Sequence, residues 1–166
     1  MTVAPPLLLE KESPAILGAD IMLVDFGRSV DLLSVKESSS PLLFTGKIVS
    51  EDMEPISMRE GKPWAADVDT FGLCASSHVL LFGCHIEVEY DHQRNRWHLK
   101  NTIRRYWRQE LWCNMFDTLL NLPPGERHSN KLGEIRKDFE SYLGKANVMN
   151  DVRVLLKGQI GYFPKK

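Results

Sequence analysis

An uncharged stretch over residues 70–84 constrains the fold of this chain more than any other feature. Its apolar side chains recur on every face of a helix, a pattern that predicts a helix buried on all sides. At 1.5 Å per residue the helix spans about 20 Å, which is short of the roughly 30 Å core of a bilayer. Asp67 and Asp69 precede the stretch, where carboxylates suit the positive end of a helix dipole and cap free N–H groups, and Gly83 can end it. We therefore expect a buried central helix over residues 67–84.

The composition is that of one soluble, intracellular domain. The chain has 166 residues, of which 43% are hydrophobic and 26% are charged. Its net charge of -1 gives no strong field toward nucleic acid or an anionic membrane, so neither is expected as a direct partner. Three cysteines without CxxC spacing favour buried free thiols in a reducing compartment. The apolar run near the N-terminus is too short for a signal peptide.

The segment before the central helix is predicted to be mostly irregular. Prolines mark residues 1–20 as a lead-in arm. A short buried strand is predicted over 21–24 and a second β-like piece over 42–49, the latter within an irregular connection over 28–63. Loops of that length inside compact domains are usually functional or mobile.

The segment after the central helix predicts a hairpin and three helices. Alternating apolar residues from 86 to 99 predict a hairpin that turns near residues 91–95. Apolar side chains at every fourth position predict an amphipathic helix over 103–122, which a Pro-Pro-Gly sequence ends. The remaining predicted elements are helices over 130–143 and 148–157 and a loose tail over 158–166. The whole reads as one mainly helical unit.

Several short motifs occur in an order and at intervals typical of one family. They are Asp25-Phe26-Gly27 with Arg-Ser-Val-Asp after it, Gly61-Lys-Pro-Trp64, Val68-Asp-Thr-Phe-Gly72, Leu80-Leu-Phe-Gly83, Leu111-Trp-Cys-Asn-Met-Phe116 and Leu120-Asn-Leu-Pro123. Together they resemble the Bub family of mitotic spindle-checkpoint serine/threonine kinases, of the Bub or BubR type. The resemblance covers about residues 20–157. It implies a mainly α fold, the large C-terminal lobe of a protein kinase with a short strand and hairpin element, over residues 21–157.

The resemblance also implies roles for individual residues. Asp25 would hold Mg²⁺ against the phosphates of ATP, because a hard cation prefers carboxylate oxygen. Phe26 would pack under the regulatory helix of the small lobe, and Gly27 would let the backbone flip. Asp69 would accept hydrogen bonds from the catalytic loop and hold that loop rigid. Residues 25–60 would be the DFG motif and activation segment, with candidate phosphorylation sites at Ser34, Ser38, Ser39, Ser40, Thr45 and Ser50.

Several parts of a kinase are absent from the sequence. It has no glycine-rich phosphate loop, no phosphate-binding strand lysine and no catalytic loop, and these would lie upstream of residue 1. We therefore expect the chain alone to be inactive, with ATP and Mg²⁺ bound only by a complete kinase domain. Where kinases carry Ala-Pro-Glu, the sequence has Ser57 at the glutamate position. The buried ion pair that usually anchors the activation segment is therefore in doubt.

Two functions follow from the resemblance. The first is the C-terminal lobe of a spindle-checkpoint kinase, which would pack against a small lobe and act with kinetochore and checkpoint proteins, in the nucleus at kinetochores and in the cytoplasm. The alternative is a non-catalytic pseudokinase scaffold of the kinetochore checkpoint complex. The basic and aromatic segment over 104–108 is interpreted as a solvated helix edge rather than a nucleic-acid site. The apolar surface that normally meets the small lobe predicts self-association of the chain.

Overall fold

The structure is a computed structural model, in which helices predominate. The described residues are 27, 29–31, 42–47, 54–124 and 128–160, with side chains described up to residue 155. Two compact units are distinguished, Glu37–Val148 as one and Met1–Lys36 with Met149–Lys166 as the other. The core and the candidate site belong to the first unit. The predicted strand over 21–24 lies outside the described residues.

Helix α2, Asp67–Phe82, is the predicted central helix. Gly83 ends it in a left-handed conformation (φ 72°), with its N–H bonded to the Val79 carbonyl at 2.8 Å. One face is buried through Phe71 and Cys74. The prediction of burial on all sides is wrong, because Leu80 is 87% exposed. Within the part of the chain that the structure describes, neighbouring elements cover only one side of α2.

The core of the first unit forms where α2 and the two helices described next pack together. Helix α3 spans Gln109–Leu119 and helix α4 spans Ser129–Leu143. Burial of this apolar surface is the main source of stability for the unit. The buried core residues are Phe71, Cys74, Ile86, Ile103, Met115, Phe116, Leu119, Leu120 and Ile135.

The hairpin prediction is confirmed. Strand β1, Val88–Asp91, pairs antiparallel with strand β2, Arg96–Leu99, and Tyr90 stands opposite Trp97. The turn between them is fixed by the Asp91 carboxylate, which accepts the N–H groups of Gln93 and Arg94 at 2.9 and 3.1 Å. The hairpin packs against α3 through β2.

The segment before α2 is more regular than predicted. Helix α1, Ile56–Arg59, forms where an irregular connection was expected. A β-like piece was predicted over 42–49, and its described residues, 42–47, contain an isolated bridge in which Phe44 and Trp64 exchange N–H···O bonds of 2.8 and 2.9 Å. Their rings stack with centroids 5.0 Å apart. This bridge ties the chain before α1 to the loop between α1 and α2.

The single helix predicted over 103–122 is divided. A 3₁₀ turn, Arg105–Trp107, comes first, and α3 begins only at Gln109. The break lies at Arg108, which adopts φ 56° and ψ 56° and so interrupts helical geometry.

The last two helices form close to their predicted positions. Helix α4 begins one residue before its predicted start and ends at Leu143 as predicted. The last helix, α5, spans Ala146–Ile160 and so extends two residues before and three residues beyond the predicted 148–157. No described helix is long and apolar enough to cross a bilayer.

Candidate functional site

A buried carboxylate joins the end of the predicted activation segment to the central helix. Asp67 is 8% exposed and Ser57 is 4% exposed. The Ser57 hydroxyl donates to one carboxylate oxygen of Asp67, and the Ala65 N–H donates to the other at 2.6 Å. The Asp67 carboxylate therefore holds α1 and the α1–α2 loop against the first turn of α2. We call Ser57, Ala65 and Asp67 the Asp67 anchor.

The contacts of the Asp67 anchor differ from two expectations that were based on the sequence. Asp67 was predicted to cap free N–H groups in the first turn of α2, but its carboxylate accepts the N–H of Ala65, which precedes the helix. Ser57 stands where a kinase glutamate would form a buried ion pair, and here it donates a hydrogen bond instead. Because Ser57 and Asp67 are ten positions apart, no periodic pattern in the sequence could have paired them.

A second acidic side chain, Glu60, lies beside the anchor. It accepts hydrogen bonds from Lys62 Nζ at 2.7 Å and from the Trp97 indole N–H at 2.9 Å. Partial burial raises the pKa of the Glu60 carboxyl, but these two hydrogen bonds outweigh burial and hold its pKa below the usual value. Glu60 is therefore ionised at neutral pH and connects the α1–α2 loop to β2.

A cavity of about 290 Å³ opens between these elements. Its walls come from α1, the start of α2, the hairpin and the loop after α3. Its lining includes the polar residues Ser57, Glu60, Lys62 and Asp67 and the aromatic residues Tyr90 and Trp97.

Asp69 lies on the other side of α2 from the anchor. It is exposed, and so are Leu73, Ser76 and Leu80, which follow it at intervals of three and four residues. These four residues therefore form one exposed stripe along α2. Two of the four residues are apolar, namely Leu73 and Leu80, which are 43% and 87% exposed. We call it the α2 stripe.

The other residues implied by the resemblance are only partly described. Gly27 and Thr45 are exposed. Thr45 follows the bridge residue Phe44 and is accessible to solvent. The residues outside the described part of the chain are Asp25, Phe26, Ser34, Ser38, Ser39, Ser40 and Ser50.

No metal site can be built from the described residues. Groups of three or more His, Cys, Asp or Glu side chains that could hold an ion do not occur among them. Asp25, the Mg²⁺ ligand that the resemblance implies, lies outside the described residues.

The cysteines are free, but only one is fully buried. Burial raises the pKa of the Cys74 thiol to about 12, so this side chain is unreactive in the folded protein. Cys84 is exposed and Cys113 is half-buried. The prediction of buried thiols therefore holds for Cys74 and is wrong for Cys84, which lies just beyond the end of α2.

The sequence is similar to mitotic checkpoint kinases from several organisms. It is 32% identical over 126 residues to the mitotic checkpoint serine/threonine-protein kinase BUB1 of Arabidopsis thaliana, a match that covers 74% of this chain and 23% of the relative. It is 36% identical over 127 residues to the spindle assembly checkpoint serine/threonine-protein kinase BUB1 of Saccharomyces cerevisiae, covering 74% of this chain and 12% of the relative. The chain thus spans less than a quarter of the length of these relatives. No family model matches the chain.

The fold is similar to that of a solved kinase domain. The crystal structure of the BubR1 kinase domain superposes with a TM-score of 0.57 at 28% sequence identity. The match covers 69% of this chain and 36% of that domain. The helices and the two-stranded hairpin thus correspond to part of a kinase domain, consistent with the predicted C-terminal lobe.

Proposed function

Because the chain belongs to the Bub family of spindle-checkpoint kinases, we propose that it serves as the C-terminal lobe of a protein serine/threonine kinase of the mitotic spindle assembly checkpoint. The observation that carries the proposal is the 36% identity over 127 residues with a spindle assembly checkpoint kinase. In this role the chain acts with checkpoint proteins at the kinetochore, in the nucleus and in the cytoplasm. A complete kinase domain supplies the small lobe and the catalytic loop.

The α2 stripe fits the role proposed for Asp69. In a complete domain the catalytic loop packs on this stripe, and the Asp69 carboxylate accepts N–H groups of that loop. A carboxylate that is exposed beside Leu73 and Leu80 is free to make such bonds once an apolar element covers the leucines. Asp69 is thus a positioning residue, which holds the loop and does not touch the transferred phosphoryl group.

The Asp67 anchor fits the end of an activation segment. Phosphoryl transfer depends mainly on positioning, so the segment that receives the protein substrate has to be fixed to the lobe. Here the hydrogen bond from Ser57 to Asp67 fixes it, together with the bridge between Phe44 and Trp64. Thr45 and the serines at 34, 38, 39, 40 and 50 are the proposed phosphorylation sites of this segment.

Mg²⁺·ATP, when bound to a complete domain, supplies the phosphoryl group and neutralises its charge. Within this chain we assign Mg²⁺ binding to Asp25, with Phe26 and Gly27 setting the conformation of the motif. The carboxylate of Asp25 is the kind of hard oxygen ligand that Mg²⁺ prefers.

The test is Mg²⁺-dependent nucleotide binding by the protein isolated from its native gene. We expect Asp25→Ala to weaken the binding of Mg²⁺·ATP by about a hundredfold, because it removes a metal ligand. Asp69→Asn should lower turnover more than nucleotide affinity, because it loosens the catalytic loop. Asp151→Asn, at an exposed position of α5, is the matched control and should change neither.

A second function is favoured by one observation, namely that Ser57 and not a glutamate ends the activation segment. If the isolated protein has the 19.0 kDa mass of this chain, or binds nucleotide equally well with and without Asp25, the kinase proposal fails. The chain would then be a pseudokinase scaffold. Retained checkpoint function in cells that carry Asp25→Ala would support that role.

A further inference from the structure

Six described lysine and arginine side chains of the first unit form ion pairs with carboxylates. Lys62, Arg94 and Lys100 form ion pairs with neighbouring carboxylates, with N···O distances between 2.7 and 3.7 Å. Lys131 and Arg136 do the same on α4. Arg96 pairs with Asp117. Compensated charges of this kind leave little field to attract a partner.

Described cations without an ion pair cluster at the start of α3 and the end of α4, whereas the others, Lys47, Arg59 and Lys137, are far apart in the sequence. Arg104, Arg105 and Arg108 are exposed and lie within five positions, and Lys145 is exposed just after α4. Among the described residues, none of these four cations forms an ion pair with a carboxylate. Glu110, in the first turn of α3, is the acidic residue closest in sequence to the arginines, and it too pairs with none of them. We call these four cations, with Tyr106, Trp107 and Tyr142, the arginine edge.

Aromatic rings contact three of the four cations of the arginine edge. The Arg104 guanidinium lies 5.2 Å from the Trp107 ring centre and 5.9 Å from that of Tyr106, and it donates to the Tyr106 hydroxyl at 2.6 Å. Arg108 and Lys145 lie 4.8 and 5.8 Å from the ring centre of Tyr142. These contacts reduce the freedom of the long side chains before any partner binds, which lowers the entropy lost on binding.

The backbone conformation of Arg108 indicates that this side chain does more than interact with solvent. Its φ of 56° is a conformation that a residue with a Cβ adopts only at a cost. It also places an arginine at the positive end of α3, where a cation is unfavourable. Neither feature helps the folded chain by itself. An anionic group bound there offsets the unfavourable interaction of the Arg108 cation with the helix dipole.

We propose that the arginine edge is a docking surface for an acidic segment of another protein. The partner carries clustered aspartates and glutamates for the four cations and one apolar side chain for the Tyr106 ring, which is 71% exposed. Nucleic acid fits less well, because duplex binders neutralise about six to ten phosphates and this edge offers four cations on a chain of net charge -1. The proposal does not depend on the kinase assignment.

Fluorescence anisotropy with a labelled synthetic peptide tests the proposal. The probe has about six glutamates around one leucine, and its counterpart has glutamines instead, because charge is the property under test. We expect the 166-residue chain to bind the glutamate peptide and not the glutamine peptide. Binding should weaken as salt rises from about 50 to about 300 mM, since the contacts are exposed.

Two sets of variants localise the binding. Arg104→Gln with Arg108→Gly removes two cations and relieves the left-handed backbone, so the fold is kept and the affinity for the glutamate peptide should fall by about tenfold. Lys100→Gln with Lys131→Gln removes the same charge from ion pairs elsewhere and should change the affinity less than about twofold. Tyr106→Ala keeps all four cations and should weaken only peptides that carry the leucine.

Four results would overturn the proposal. The first is no binding of the glutamate peptide at about 100 μM, which is weaker than a useful docking contact. The second is an equal loss in the two double variants, and the third is equal binding of the glutamine peptide. The fourth is tighter, arginine-dependent binding of an oligothymidylate of the same length, which would make the edge a nucleic-acid surface.

Discussion

Asp67 and Asp69 are two positions apart in the first turn of α2, yet they lie in different surroundings. Asp67 is buried, and both of its carboxylate oxygens accept hydrogen bonds, one from Ser57 and one from Ala65. Asp69 is exposed on the α2 stripe. Both carboxylates interact with the same helix dipole, so a comparison of the two cancels that contribution. The difference in stability lost when each carboxylate is removed therefore measures what the Asp67 anchor contributes to the free energy of unfolding.

Asp67→Ala is predicted to destabilise the protein by about 2 kcal/mol, because it leaves the buried Ser57 hydroxyl and the Ala65 N–H without an acceptor. Asp69→Ala is the matched control and should change stability by less than about 0.5 kcal/mol. Urea unfolding of the two variants and of the wild type measures both values. Equal destabilisation by the two substitutions would show that the anchor does not stabilise the fold.

At the scale of elements, one side chain ties the hairpin to α3. The Asn121 side chain accepts the Trp97 N–H at 2.8 Å and donates to the carbonyls of Trp97 and Asp117, each at 2.8 Å. Asp117 also pairs with Arg96. A two-stranded hairpin is marginal in water by itself, so these contacts decide whether β1 and β2 persist.

Asn121→Ala should therefore loosen the hairpin selectively. We expect amide hydrogens of β1 and β2 to exchange about tenfold faster, while those of α4 keep their protection. Asn114→Ala, on the exposed side of α3, removes a single 3.3 Å bond to Asp138 and serves as the control. If the control loosens the hairpin equally, or if the exchange of α4 rises with that of the hairpin, the local tie is disproved.

At the scale of the whole molecule, the chain presents an apolar surface that its own described elements do not cover. The α2 stripe exposes Leu73 and Leu80, and the chain spans only 36% of the BubR1 kinase domain it resembles. Exposed apolar surface on the isolated chain favours contact between copies.

We predict that the isolated chain self-associates and that Leu80→Lys weakens the association by at least about tenfold, because it places a charge in the contact. Size-exclusion chromatography with light scattering measures the mass at several protein concentrations. Leu155→Lys changes an equally apolar residue, 69% exposed on α5, and should leave the association unchanged. A wild-type chain that stays monomeric throughout the concentration range would contradict the prediction.

The amino-acid sequence by itself determined those features that depend only on residues close together in the chain. The uncharged stretch and its closing glycine defined α2, alternation defined the hairpin, and a series of short motifs from Asp25 to Pro123 together carried the family resemblance. These features depend on periodicity, turn chemistry and local spacing, which a single segment contains in full.

Only the tertiary structure decided which polar groups meet. The hydrogen bond between Ser57 and Asp67, the bridge between Phe44 and Trp64, and the stacking of Arg108 on Tyr142 each join residues that are ten or more positions apart. It also decided which face of α2 stays exposed, because burial depends on the elements packed around a helix and not on the helix alone. Such contacts arise from the packing of several elements at once, and no local pattern encodes them.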